Sequence, residues 1–220
     1  AYNNAGFSLW SNSLEDYRSN LVVNIVFIFL IVMGGLGWRV IDDLWSNRNN
    51  LSYRKLSLHS RLVLRTSLSL ILFGSLGFFV TETLLNSQFF SDLNFFEKIL
   101  SSIFETVSAR TAGFTNSPIS LNSISDTGLL LLMTLMFIGA STGGTGGGIK
   151  TTTFIALMAA TRSTLRGQKD VIIGNRLISD KVILKAVGIT VGSLLFVLLM
   201  AMILTTTNAF IKRESFTFLE

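Results

Sequence analysis

The chain has 220 residues, of which 49% are hydrophobic and 14% charged. Soluble domains average about 25% charged residues, so lipid is the expected solvent for much of this chain. There is no cysteine, which excludes disulfides, thiol catalysis and thiolate metal sites, and the net charge of +5 is placed as membrane topology rather than as a nucleic-acid patch.

The chain opens in a polar, loop-like stretch, Ala1-Tyr2-Asn3-Asn4-Ala5-Gly6-Phe7, and ends at Phe216-Thr217-Phe218-Leu219-Glu220. It reads as a piece of a longer protein. Four stretches have the apolar length to span a bilayer: Leu21–Trp38, a marginal Thr66–Thr81 that needs flanking turns, Thr127–Ile149 and Ala186–Ile211. Helices buried in a large soluble protein are the alternative, and four in one short chain argue against it. Arg39 directly after the first span leaves that helix end uncertain.

Most of the 18 Lys and Arg fall in two loops. Arg39, Arg48, Arg54, Lys55, Arg61 and Arg65 lie between spans one and two. Lys150, Arg162, Arg166, Lys169, Arg176, Lys181 and Lys185 follow span three. The positive-inside rule makes loops 39–65 and 162–185 cytoplasmic. Glu15, Asp16, Glu82, Asp92, Glu97, Glu105, Asp126, Glu214 and Glu220 then fall outside, each read as ordinary solvated surface. Together they would raise the local cation concentration.

Between spans two and three, Asn94 to Ala109 carries Phe95, Phe96, Ile99, Leu100, Ile103, Phe104 and Val107 at helical spacing. It reaches only ~24 Å. A short helix that enters from outside and returns through irregular backbone is a re-entrant pore helix, the alternative being a surface amphipathic helix.

Two motifs carry the chemistry. Asn4-Ala5-Gly6-Phe7 repeats as Thr111-Ala112-Gly113-Phe114 at an offset of 107 residues. The same offset places Gly34-Gly35-Leu36-Gly37 against Ser141-Thr142-Gly143-Gly144, and internal repeats are a common construction of transporters. Glycine lets consecutive carbonyls point one way and replace the water shell of a potassium ion. Thr111 adds a hydroxyl, and Phe7 and Phe114 are expected to pack behind the loops and hold their width. The negative end of the preceding helix would face the ion. The bland reading of Gly6 and Gly113 is a left-handed helix end.

The second motif is the glycine-rich run from Gly139 to Lys150, followed by Thr151-Thr152-Thr153. So much glycine cannot sustain a straight helix, at about 1 kcal/mol each relative to alanine. A phosphate loop fails by one residue, because Ile149 stands between Gly148 and Lys150. A flexible segment inside the pore fits better. His59, the single histidine, is an ordinary loop residue, and no nucleophile–base or paired-carboxylate set suggests an enzyme.

Phe137-Ile138-Gly139 through Thr153 and Ser108-Ala109-Arg110-Thr111-Ala112-Gly113-Phe114 resemble the Trk/Ktr/HKT superfamily of potassium transporters, most of all its Ktr branch. The resemblance covers essentially the whole chain. It implies an all-α integral membrane fold of four helix–pore-loop–helix repeats around one pseudo-fourfold pore. On that scheme residues 1–45 hold the filter loop and second helix of repeat two. Residues 46–60 form a cytoplasmic linker and 61–165 all of repeat three. Residues 166–220 hold a linker, the first helix and the start of the pore helix of repeat four.

Asn4, Ala5, Gly6, Phe7, Thr111, Ala112, Gly113 and Phe114 would then line the selectivity filter, with potassium held by backbone carbonyls near Gly6 and Gly113. Gly143, Gly144, Thr145, Gly146, Gly147 and Gly148 would form an intramembrane gating loop. The transported ion would be K+, with dependence on Na+, and no covalent cofactor. The implied partners are the lipid bilayer of the plasma membrane, a second copy in a homodimer, and a cytoplasmic nucleotide-binding regulatory ring, but no nucleic acid. The alternatives are a sodium-preferring relative, which serine at a filter glycine would favour, and a non-conducting regulatory or scaffold subunit.

Overall fold

The computed structural model describes residues 1–48, 55–85, 88–91, 93–116, 124–168, 170–174 and 176–217. Arg54, Asp92, Lys169 and Glu220 lie outside them, as do the side chains of Lys212, Arg213 and Glu214. The chain forms two compact units, Ala1–Ile155 and Ala156–Glu220.

In the first unit, α1 (Leu21–Leu36) begins where the Asn20 side chain accepts the Val23 N–H at 3.1 Å. It stops at Gly37, whose φ of 86° is open to glycine, and α2 (Trp38–Ser46) leaves at 99°. The first span thus ends two residues earlier than expected, at a turn that puts Arg39 on a different helix.

Helix α3 (Leu58–Leu84) supplies the flanking turns that Thr66–Thr81 needed. The Ser57 hydroxyl accepts the Ser60 N–H at 3.2 Å at its start. Helix α4 (Phe95–Ala109) follows the predicted periodicity and is fastened where the Glu97 carboxylate accepts the Asn94 N–H at 3.0 Å.

Helix α5 (Asp126–Phe137) is short, starting at Ser125, which accepts the Gly128 N–H at 3.0 Å. The third span therefore does not run to Ile149. It breaks at Ile138, and helix resumes only at α6 (Thr151–Leu165).

Packing centres on α4, which lies against α3, α1 and α5. Gly74 of α3 permits the approach, since a Cβ there would come 2.6 Å from Thr106 Cγ2. One core joins Leu14, Ile31, Phe104, Val107, Ala112 and Phe114. A second joins Phe78, Phe89, Phe90 and Ile124, with Phe89 and Phe90 edge-on to Phe78. Glu82 and Glu105, expected at the solvated surface, are 0% and 4% exposed. Glu82 accepts the Ser125 hydroxyl at 2.6 Å and so caps the start of α5.

The second unit holds the rest of α6, a hairpin and α7 (Asp180–Thr217). Strands β1 (Val171–Ile173) and β2 (Arg176–Ile178) pair antiparallel, Val171 opposite Ile178. This hairpin departs from the all-helical expectation; its β-branched run and left-handed Gly174 suit a tight turn. Helix α7 continues past Ile211, where the predicted span ends. By length and hydropathy α3 and residues 180–207 of α7 can each cross a membrane, as can α1 and α2 if they count as one bent span.

Candidate functional site

The two repeated loops have the same backbone. Asn4 and Gly6 have φ of 49° and 71°; Thr111 and Gly113 have 74° and 78°. In each loop the alanine between them, Ala5 or Ala112, does not share the positive φ. Asn4 and Thr111 adopt a conformation that costs a non-glycine residue about 1 kcal/mol or more, so the surroundings must enforce it.

Those surroundings differ between the loops. The second loop leaves the C-terminus of α4 and is held on several sides. The Ser108 hydroxyl donates to the Phe114 carbonyl. The Ala112 N–H reaches back to Ser108 O at 2.9 Å. Phe114, 6% exposed, meets Phe27 of α1 edge-on at 5.2 Å. It packs as expected. Phe7 does not: it is 89% exposed, because no described side chain lies where Phe27 lies for Phe114.

Gly6 and Gly113 touch; a Cβ on Gly113 would come 3.0 Å from Gly6 Cα. The pair alone therefore encloses no ion-sized gap. The Thr111 hydroxyl oxygen accepts the Gly147 N–H at 2.8 Å and keeps a second lone pair.

That contact brings the glycine segment to the loops. Ile138 and Ile149 form a parallel bridge, and Ala140 N–H donates to Gly147 O at 3.1 Å, closing residues 138–149 into a loop. The loop lies on the end of α1. Ser141 N–H donates to Gly35 O at 2.9 Å, Thr145 N–H to Gly34 O at 3.0 Å and Trp38 N–H to Gly143 O at 3.3 Å. The Thr145 hydroxyl donates to Tyr2 O at 2.9 Å, just before the first loop.

Close backbone approach is what the glycines supply. A Cβ on Gly139 would strike Gly147 O, one on Gly34 would strike Tyr2 O, and one on Gly144 would lie 2.6 Å from Gly35 O. The stretches at 34–37 and 141–144 are those that the offset of 107 residues sets against each other. They meet each other.

Two cations sit here. Lys150 Nζ donates to Gly146 O at 2.8 Å, and Arg110 Nη2 to Gly139 O at 3.2 Å. Arg110 and Asn4 line a small cavity with Ile31, Val32, Ser67 and Val107. Among the described residues no group of His, Cys, Asp and Glu could hold a metal ion.

A buried polar set behind the second loop was not anticipated. Glu105 Oε1 accepts the Thr115 hydroxyl at 3.0 Å and the Asn116 N–H at 3.2 Å. Asn116 Nδ2 donates to Asn24 Oδ1 at 2.7 Å. The available signal was Asn24 itself, an amide alone in an apolar span.

The family model described as TrkH, cation transport protein, matches residues 1–220. The chain belongs to the TrkH family. It is 37% identical over 208 residues to the Ktr system potassium uptake protein B of Bacillus subtilis (strain 168), covering 94% of this chain and 45% of that protein. The protein of the same description from Vibrio alginolyticus is 33% identical over 214 residues, covering 96% and 46%. The potassium/sodium uptake protein NtpJ of Enterococcus hirae is 31% identical over 216 residues, covering 98% and 46%. The TrkH-family chain thus spans under half the length of these relatives. Its fold matches the crystal structure of the potassium transporter TrkH from Vibrio parahaemolyticus with a TM-score of 0.72 at 19% identity, over 91% of this chain and 42% of that one. TrkH-family members are membrane transport proteins, not enzymes.

Proposed function

We propose that this chain supplies two filter loops and a gate to a pathway for potassium uptake across the plasma membrane. The observation that carries the reading is the alternating backbone at 4–6 and 111–113. Positive φ at every second residue breaks the ordinary alternation of carbonyl directions and lets successive carbonyls turn to one side, as cation dehydration requires. The C-terminus of α4 adds its negative dipole end beside the second loop. Two touching loops cannot enclose an ion, so the remaining wall would come from the portion of the relatives' length outside these residues. The repeat scheme of a second half-repeat, a full third and the start of a fourth accounts for that shortfall. The bends at Gly37 and Ile138, where the two stretches of glycine meet, support Gly143–Gly148 as the gate. On this reading loops 39–65 and 162–185 face the cytoplasm and a regulatory ring, and the whole protein pairs with a second copy.

The test is competition uptake of K+ and Na+ by the full-length protein carrying Gly113→Ser or Gly6→Ser. Either side chain would sit at a left-handed φ and within about 3 Å of the other loop's backbone. Both variants should lower the preference for K+. Unchanged preference in well-expressed variants of both would remove the glycines from the filter. A sodium-preferring pathway is the second reading, favoured by the potassium/sodium uptake relative. The parent protein in the same assay decides it.

A further inference from the structure

The segment leaving the second loop, Thr115–Asn116, is clamped from two helices. On one side stands Glu105 of α4, whose Oε1 takes the Thr115 hydroxyl and the Asn116 N–H. On the other stands Asn24 of α1, in the element that follows the first loop. Asn24 and Asn116 are 1% and 0% exposed, and their side chains meet at 2.7 Å.

Asn24 is fixed before it reaches Asn116. Its Nδ2 has the carbonyls of Tyr17, Arg18 and Asn20 at 2.9, 3.2 and 2.8 Å, so the amide's donor side is committed. Its oxygen is thereby aimed at Asn116. This orientation is unambiguous: a flipped amide would set its oxygen against three carbonyl oxygens. The same stretch of chain reaches the loop exit by backbone as well. Leu14 N–H donates to Thr115 O at 2.9 Å, and the Ser13 hydroxyl accepts the Thr115 N–H at 3.1 Å.

A leucine at position 24 would serve an apolar span as well. An amide buried there is costly unless every bond is made; here its NH2 is held by the Tyr17–Asn20 turn and its oxygen by Asn116. We propose that Asn24 is a positioning residue for ion selection: it fixes the exit segment of the second loop through Asn116, and so sets the carbonyl geometry at Gly113 without touching an ion. It would also tie the helix that follows the first loop to the geometry of the second. The inference rests on reading 111–114 as a filter.

The experiment compares Asn24→Leu, Asn116→Ala and the double variant with Gly113→Ser in the full-length protein. The readout is the ratio of K+ to Na+ in competition uptake, normalised to folded protein. Each single variant should lower the ratio on the order of fivefold, the scale of one net hydrogen bond. The double variant should lower it no further, because the two side chains form one link. Asn116→Ala leaves the Tyr17–Asn20 turn intact, so it remains informative where Asn24→Leu fails to fold. A purely structural Asn24 would reduce the yield and leave the ratio of the surviving protein unchanged. If Gly113→Ser shifts the ratio and Asn116→Ala does not, the positioning role is overturned while the filter stands. If none shifts it, the filter reading falls and the positioning role with it.

Discussion

Residues 4–7 and 111–114 trace the same alternating backbone, yet Phe114 is 6% exposed and Phe7 89%. The second loop has α4 before it, Phe27 behind it and the Glu105–Asn116–Asn24 clamp at its exit. The first has the Tyr2–Thr145 contact and the backbone turn of Asn4 N–H to Ala1 O at 2.9 Å. Equal backbones under unequal support show that the left-handed pattern belongs to the motif. The clamp belongs to the neighbouring helices. In a pseudo-fourfold arrangement each loop's phenylalanine would be covered by the second helix of the repeat before it, as Phe27 covers Phe114.

The largest effect tests that equivalence. Phe114→Ala should cost about 3 kcal/mol of stability through the cavity it leaves. In the full-length protein Phe7→Ala should cost the same within about 1 kcal/mol, by thermal unfolding in detergent, although Phe7 is exposed here. A Phe7 variant as stable as the parent would break the equivalence of the two loops.

Next comes the segment that bridges the loops. Deleting Gly143–Gly147 removes the contacts to Tyr2, Gly34, Trp38 and Thr111 together. If the loops set binding and the segment sets passage, maximal uptake should rise severalfold while apparent affinity for K+ stays nearly constant. The rival outcome follows from Lys150, which loses Gly146 O as an acceptor. If the segment serves packing alone, that lysine is left unpaired, at a cost of roughly 2.5–3.5 kcal/mol at the bilayer centre, and expression and flux fall together. A variant that folds normally and transports no faster than the parent would eliminate the gate.

The smallest effect lies at the N-terminal end of α4. The Glu97 carboxyl is held below its ordinary value of 4.5 by a hydrogen bond from the Ser19 side chain, then by the Asn94 N–H and the charge of Arg18. A lowered folded value stabilises the ionised form. Its contribution is complete above about pH 4.5 and is lost as pH falls through the folded value. Glu97→Gln should lower stability slightly at pH 7, where that contribution is complete, and flatten the acid part of the profile, so that parent and variant converge below the folded value. A profile identical to the parent's would separate this end of α4 from the support of the second loop.

The sequence by itself determined the membrane character, the apolar helices α1, α3 and α7, the short helix 95–109 and the repeated loop motif. These rest on hydropathy, on periodicity and on glycine at fixed spacing, which are local properties. The ends of the spans were less legible. Leu21–Trp38 and Thr127–Ile149 stay apolar through the points where the chain turns, so hydropathy alone does not register Gly37 or Ile138. Burial of Glu82 and Glu105 was misread for a related reason: a carboxylate's surroundings come from other segments, here Ser125, Thr115 and Asn116. Tertiary structure alone decided that the two stretches of glycine meet face to face, that Thr111 binds Gly147, and that one asparagine in an apolar helix reaches a segment 92 residues away. Each depends on which backbones approach within hydrogen-bond distance, and that is fixed by how the helices pack.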